Sequence, residues 1–377
     1  MPRPRPALSF AILLAAATAA PAIAAQAPIT GGRPFADKPF KVEEVARFDS
    51  PWAMTFLPGG HMLVTEKAGR LLLLSPDGAR RTAVEGVPAV DSSGQGALGE
   101  VVAHPDFATN GLVYFSYSAP GSPNGIVLAR GKLVGDLGGA RLEGVTTLYR
   151  AHPLKSGGHY AGRIAFSPDG HLFFSMGERQ KFTPAQEPDG VLGKVVRLTM
   201  DGQPAPGNPL AAKGFDPAVW SYGHRNPLGL AFDLEGRLWD AEMGPKGGDE
   251  VNLILPGRNY GWPIVSNGDH YDGKPIPDHV TRPEFEAPKV SWNPSISPSS
   301  LLVYSGKLFP QWRGKALVGA LSGEMLILVD LGEEGAKEEA RYAMGQRIRA
   351  VDQGPDGAVY VLEDKAGGRL LRLMPAG

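Results

Sequence analysis

The sequence predicts an all-β chain folded as a six-bladed β-propeller, and three observations carry that prediction. One unit recurs six times: a short strand, a Pro/Asp/Gly turn, an apolar strand, then a glycine leading into a third strand. No long window keeps the spacing of an amphipathic helix, whereas 172–175 and 358–362 read as alternating strands. Fifty glycines and 35 prolines without collagen periodicity suit a chain of many tight turns. A lone three-stranded unit cannot cover both of its faces; sheets stacked around an axis can.

From the N-terminus, Arg3 and Arg5 precede an apolar run over 7–20 and the small residues Ala22-Ile23-Ala24-Ala25. This is the pattern of a secretory signal over 1–25, leaving 26–377 as a single domain in the periplasm or outside the cell. The stretch 40–46 is expected to add a strand that closes the last blade. The repeated units then occupy 53–74, 99–117, 163–176, 229–240, 301–328 and 348–373. Their irregular spacing leaves long insertions, notably 179–192 and 263–292, as loops crowning one face.

Composition narrows the chemistry. The chain has no cysteine, which excludes disulfides, thiolate nucleophiles and cysteine-ligated metals. Its formal net charge is −1, so nothing points to nucleic acid or an anionic membrane as partner. No stretch past the N-terminal run approaches the ~20 apolar residues of a membrane span.

The densest cluster of chemical groups is Gly223-His224-Arg225-Asn226-Pro227, followed by Glu242-Met243-Gly244-Pro245, Asp249-Glu250-Val251-Asn252-Leu253 and Asn259-Tyr260-Gly261-Trp262-Pro263. Arg225 and Asn226 offer fixed donors to a planar anion, while carbonyls at Gly244 and Pro245 and the Glu250 carboxylate are hard ligands suited to calcium. An arginine after a turn also commonly ties down loop carbonyls, and a carboxylate can simply cap a turn. Arg347 and Arg349 share one face of an extended segment and repel unless an anion lies between them; two solvated arginines are the alternative. His159 lies among glycines ahead of a strand, Glu178 follows a strand end, and Gln95 sits in Gly94-Gln95-Gly96. A lone histidine is usually structural, a strand-end glutamate can pair with Arg179, and a glycine-rich run often marks only a strand entrance.

The order and spacing of these blocks resemble the soluble quinoprotein glucose dehydrogenases and aldose sugar dehydrogenases over nearly the whole of 51–373. The resemblance implies a six-bladed propeller holding pyrroloquinoline quinone (PQQ) and calcium (Ca²⁺), with oxidation of an aldose at C1 to the lactone. By position, His159 matches the general base, Glu178 the acid that supports it, and Arg225 the group polarising the quinone carbonyl. Asn226, Gln95, Ser295, Arg347 and Arg349 match cofactor contacts. Gly244 and Pro245 match carbonyl ligands of the cofactor calcium, and Glu250 with Tyr260 a second calcium position. The chain departs from the pattern twice: Glu178 stands where aspartate is usual, and 319–324 lacks a lysine, with Ser322 in that region. An aldose and an electron acceptor are the implied partners of a monomer or homodimer. Rival readings are a calcium-dependent propeller lactonase and a propeller that only binds sugar or protein.

Overall fold

The computed structural model describes residues 29–30, 33–121, 124–151, 153–332 and 335–376, so the expected signal segment lies outside the described residues. The all-β expectation holds. Among the described residues the only α-helix is the single turn Phe107–Asn110, accompanied by short 3-10 turns.

The strands form four-stranded antiparallel meanders taken up in chain order. The first runs through Pro51–Phe56, Met62–Glu66, Arg70–Leu74 and Arg81–Glu85. The second uses Leu98–Ala103, Leu112–Ala119, Gly125–Asp136 and Gly139–Arg150, joined to the first by a short parallel pairing of Ala140 with Val84. The third holds Ala161–Phe166, Leu172–Met176, Lys194–Leu198 and Val219–Tyr222; the fourth holds Pro227–Phe232, Leu238–Glu242, Asp249–Leu253 and Val290–Asn293. Then come Pro298–Val303, Ala316–Ala320, Met325–Leu331 and Ala336–Ala343, and finally Ile348–Gln353, Val359–Glu363 and Ala366–Pro375. The last meander takes its fourth strand from the other end of the chain, Phe40–Asp49, which pairs antiparallel with Ala366–Pro375. Each expected unit begins within about three residues of a meander's opening strand.

The opening strands touch in a closed circuit: Pro51–Phe56 against Leu98–Ala103, on through Ala161–Phe166, Pro227–Phe232, Pro298–Val303 and Ile348–Gln353, and back to Pro51–Phe56. Apolar side chains fill each space between neighbouring meanders. Tyr114, Ile126 and Leu128 face the third meander with Leu172 and Phe174, while Phe115, Val127 and Ala129 face the first. Phe173 points the other way again, to Leu230 and Leu238 of the fourth.

The stretches 172–175 and 358–362, read as alternating strands, are strands, and their alternation does not separate a buried face from an exposed one. Every residue of Leu172–Met176 and of Val359–Glu363 is buried. A strand covered on both faces reads as a near-continuous apolar run, so its period of two sorts residues between two cores. The loop expected over 263–292 is likewise interrupted, by the two-stranded ribbon of Lys246–Gly247 with Gly268–Asp269 and by the start of Val290–Asn293.

All of the opening strands carry a register shift near their first residues, at 51/53, 98/101, 161/164, 227/229, 298/300 and 348/350. A bulge bends the strand and re-aims the side chains beside it. The bulges therefore flare one end of the ring, and that end carries the residues singled out by sequence.

Candidate active site

A cavity of about 330 Å³ occupies the flared end, lined among others by Trp52, Lys67, Gln95, Asn226, Arg347 and Arg349. A second, of about 480 Å³, lies outward of it, with His159, Glu178, Phe182, Arg225, Trp262 and Tyr271 in its wall. Gln95 borders both. The adjacent pairs His159/Tyr160 and Arg225/Asn226 each send one residue to either cavity, so these two segments form the partition.

His159 is held from two sides. Its backbone N–H donates to Gln95 Oε1 at 2.8 Å, and its ring Nδ1 lies 2.5 Å from Glu178 Oε1. Glu178 Oε2 accepts the backbone N–H groups of Lys181 and of Phe182, the latter at 2.6 Å. The longer glutamate thus reaches the imidazole, and Arg179 is not its partner. Arg179 lies over the Tyr160 ring and donates to Gly158 O, Ser156 O and Asn124 Oδ1.

The backbone around this pair is costly. His159, Ala161, Arg179, Gln180 and Phe182 all have positive φ, a region L-residues with side chains avoid. The approach is possible because position 177 is glycine: a Cβ there would meet His159 O at 2.2 Å. Lys194 anchors the loop that follows by donating to the carbonyls of Pro184, Ala185 and Leu192.

Burial pushes the His159 imidazole below its ordinary pKa, with the Arg225 charge adding to the effect, while the Glu178 hydrogen bond pulls it back up. Burial pushes Glu178 upward, but the hydrogen bond from His159 and the two backbone donors hold it below the usual carboxylate value. An ionised Glu178 accepts Nδ1–H and leaves the lone pair on Nε2. The result is a neutral imidazole with Nε2 open to the cavity.

Arg225 donates from Nη1 to Met243 O at 3.0 Å and from Nη2 to Tyr271 Oη at 3.4 Å, and its guanidinium lies 5.2 Å from the Trp262 ring. Its Nε is buried with no partner. So the arginine does tie a loop carbonyl, and it still holds an unused donor. Asn226 Oδ1 accepts Ala161 N–H, leaving the amide NH₂ for the cavity it lines. Glu242 Oε2 accepts the backbone N–H groups of both Arg225 and Asn226.

Asp249 organises the neighbouring turn. Its Oδ1 accepts Gly244 N–H at 2.8 Å and its Oδ2 accepts Ile296 and Ser297 N–H at 2.6 and 2.7 Å. Burial raises its pKa to about 6. Gly244 must be glycine, since a Cβ would fall 2.3–2.4 Å from the carbonyls of Gly248 and Gly247. Ser295 accepts Gly247 N–H and donates to Pro245 O, so its hydroxyl serves this turn, and Ser297 is the residue that lines the cavity.

Beneath the turn lies a void of about 10 Å³ bordered by Gly244, Gly248, Glu250 and Tyr260. It has room for about one water-sized particle. Glu250 is buried there, with Asn252 Nδ2 3.3 Å from Oε2 and His279 Nε2 3.6 Å from Oε1. The Tyr260 hydroxyl donates to Leu253 O, and its ring stacks on His224. Next to these groups His224, Asp240 and Glu242 form a buried cluster. Burial first, then the Glu242 charge, holds the Asp240 carboxyl well above its usual range.

The anion between Arg347 and Arg349 belongs to the protein. Arg347 Nε lies 2.9 Å from Asp364 Oδ2, and Arg349 Nη2 2.7 Å from Asp364 Oδ1. Trp52 lies under Arg349 and Arg163, 5.9 and 4.2 Å from its ring. Sequence reasoning missed Asp364, Asp249, Trp52 and Lys67 as site residues. A positional signal existed: Lys67, Glu178, Met243, Leu321 and Asp364 each lie one or two residues beyond the second strand of a meander, at the same end as the bulges.

The glucose/sorbosone dehydrogenase family model matches residues 48–372 of the chain. Aldose sugar dehydrogenase YliI of Escherichia coli (strain K12) is 38% identical over 341 residues, covering 87% of this chain and 91% of that protein. A crystal structure of a glucose dehydrogenase superposes with TM-score 0.84 at 41% identity, covering 88% of this chain and 99% of the other. The PQQ-bound aldose sugar dehydrogenase of Streptomyces coelicolor gives TM-score 0.72 at 30% identity, over 89% and 98% of the two chains.

Proposed function

This chain belongs to the glucose/sorbosone dehydrogenase family, and from that premise we propose that it is a PQQ-dependent aldose sugar dehydrogenase. It acts in the periplasm or outside the cell and oxidises the sugar at C1 to the lactone on a six-bladed propeller. The closed circuit of opening strands supports the propeller, with one meander per blade.

The observation that carries the activity is the His159–Glu178 pair, a buried imidazole with a free Nε2, sharing one cavity wall with Arg225. The residues present fit the implied cofactor. A planar polycarboxylate meets Arg347, Arg349 and the Asn226 amide in the inner cavity, and the unpartnered Arg225 Nε is a donor for a carbonyl oxygen. Carbonyls of Gly244 and Pro245 would hold the cofactor calcium, and the void beside Glu250 and Tyr260 suits a second hard cation.

When bound, PQQ supplies the two-electron acceptor for hydride from C1. The protein does the rest. His159 Nε2 takes the proton of the C1 hydroxyl, and Glu178 holds the ring in the correct tautomer and stabilises the imidazolium. Arg225 presents positive charge where negative charge develops. Phe182, Trp262 and Tyr271 line the sugar side. A lactonase would need unengaged carboxylates facing the cavities, yet Glu178, Asp272 and Asp364 are each paired already. Purified apo-protein should reduce a dye with an aldose only when PQQ and Ca²⁺ are both added. Equal activity with NAD and no PQQ would overturn the proposal.

A further inference from the structure

We infer that Lys67 is a third cationic anchor for the bound polycarboxylate, in addition to the Arg347/Arg349 pair in the inner cavity. The inference rests on the PQQ reading above. Three cations, Lys67, Arg347 and Arg349, line this cavity against one acid, Asp364. Asp364 is fully engaged by the two arginines. Lys67 makes no ion pair among the described residues; its ammonium donates to Gly94 O at 2.7 Å, which leaves two of its three N–H donors for a ligand.

Its position is fixed rather than loose. Lys67 directly follows the strand Met62–Glu66, its N–H donates to Ser50 O, and its carbonyl accepts Leu98 N–H. It thus sits where the first meander meets both neighbours, in the place that Asp364 occupies after Val359–Glu363 in the last. Concentrated positive charge with too few internal acids is stabilised by a bound anion. Ser322, on the segment that lacks a lysine, instead bonds Ser297 Oγ at 2.8 Å and brings no charge. The cation missing there is supplied from the first meander.

The test is a PQQ titration of calcium-loaded protein, read by quenching of tryptophan fluorescence, since Trp52 shares the cavity. Lys67→Met should weaken PQQ binding about tenfold or more, as expected for loss of a charge-assisted contact, and Lys67→Arg should restore most of it. The uncharged PQQ trimethyl ester should bind wild type and Lys67→Met alike. Wild-type PQQ affinity in Lys67→Met overturns the inference and leaves the proposed function standing. So does an equal loss for PQQ and ester, which would mean that the lysine only shapes the Gly94 turn. Absence of PQQ binding by the wild-type protein would overturn the function and the inference together.

Discussion

At the scale of single residues, the His159–Glu178 pair makes two separable predictions. His159→Ala should lower kcat by ~10²–10⁴, the usual contribution of a general base, with PQQ affinity nearly unchanged; near-normal turnover would move the base elsewhere. The pH dependence follows from the direction of the shift. His159 is held below the ordinary imidazole value of 6.5 by burial, so it is neutral above that pH and is lost as a base only as pH falls through its lowered pKa. The same sign applies to stability, because the unfolded chain binds this proton more readily than the folded one. Glu178→Gln removes the group that pulls the pKa up. The acid limb of kcat/KM should therefore move to lower pH while the plateau drops, and an unmoved limb would show that Glu178 does not control the imidazole. The arginine pair gives a third prediction: Arg347→Ala should weaken PQQ about ten- to a hundredfold with little effect on unfolding, since Arg349 still holds Asp364. Most of these residues were legible in the sequence because they sit beside glycines, prolines or one another. Asp364 was not, because a carboxylate after Glu363 looks like any surface acid until the fold brings it between two guanidinium groups.

At the scale of elements, the bulges that flare the ring are stitched by hydroxyls. Thr65 accepts Ala53 N–H and donates to Gly99 O; Ser116 accepts Glu100 N–H and donates to Gly162 O; Ser175 accepts Arg163 N–H and donates to Pro227 O. Each hydroxyl satisfies the bulge of its own meander and grips the first strand of the next. Ser175→Ala leaves a buried N–H and a buried C=O without partners and should cost about 1–3 kcal/mol in denaturant unfolding. The freed carbonyl is that of Pro227, next to Asn226, so PQQ affinity should fall as well. Stability equal to wild type would show that the bulge stands without its hydroxyl. Turn signals such as Ser167-Pro168-Asp169-Gly170 located the strands, since a Pro/Asp/Gly turn is a local event. A bulge is a mismatch in residue count between two strands, and nothing in one strand alone announces it.

At the scale of the whole molecule, the ring has a seam, and closing it joins the two ends of the described chain. Phe40–Asp49 completes the last meander beside Ala366–Pro375, and the core at that junction joins Phe48, Met54, Met62 and Val64 to Tyr360, Leu362 and Leu370. Trp52 and Lys67 lie on one side of the seam, Arg347, Arg349 and Asp364 on the other. The half of the cavity lined by Lys67, Arg347 and Arg349 therefore exists only when the ring is shut. The repeated pattern made this architecture readable, because each unit needs neighbours to cover both faces; the position of the cavity across the seam depends on contacts between the chain's ends, which no local pattern encodes. Phe48→Ala deletes a buried aromatic from the junction and should cost about 3–5 kcal/mol. With every meander gripped on both sides, the loss should appear as a lower midpoint of one cooperative transition. Saturating PQQ with Ca²⁺ should raise that midpoint again, because a ligand held across the seam binds only the closed form. Thermal unfolding of the variant with and without cofactor is the measurement. A midpoint unmoved by cofactor that is demonstrably bound would mean that the ligand does not depend on closure, and would place the cofactor off the seam.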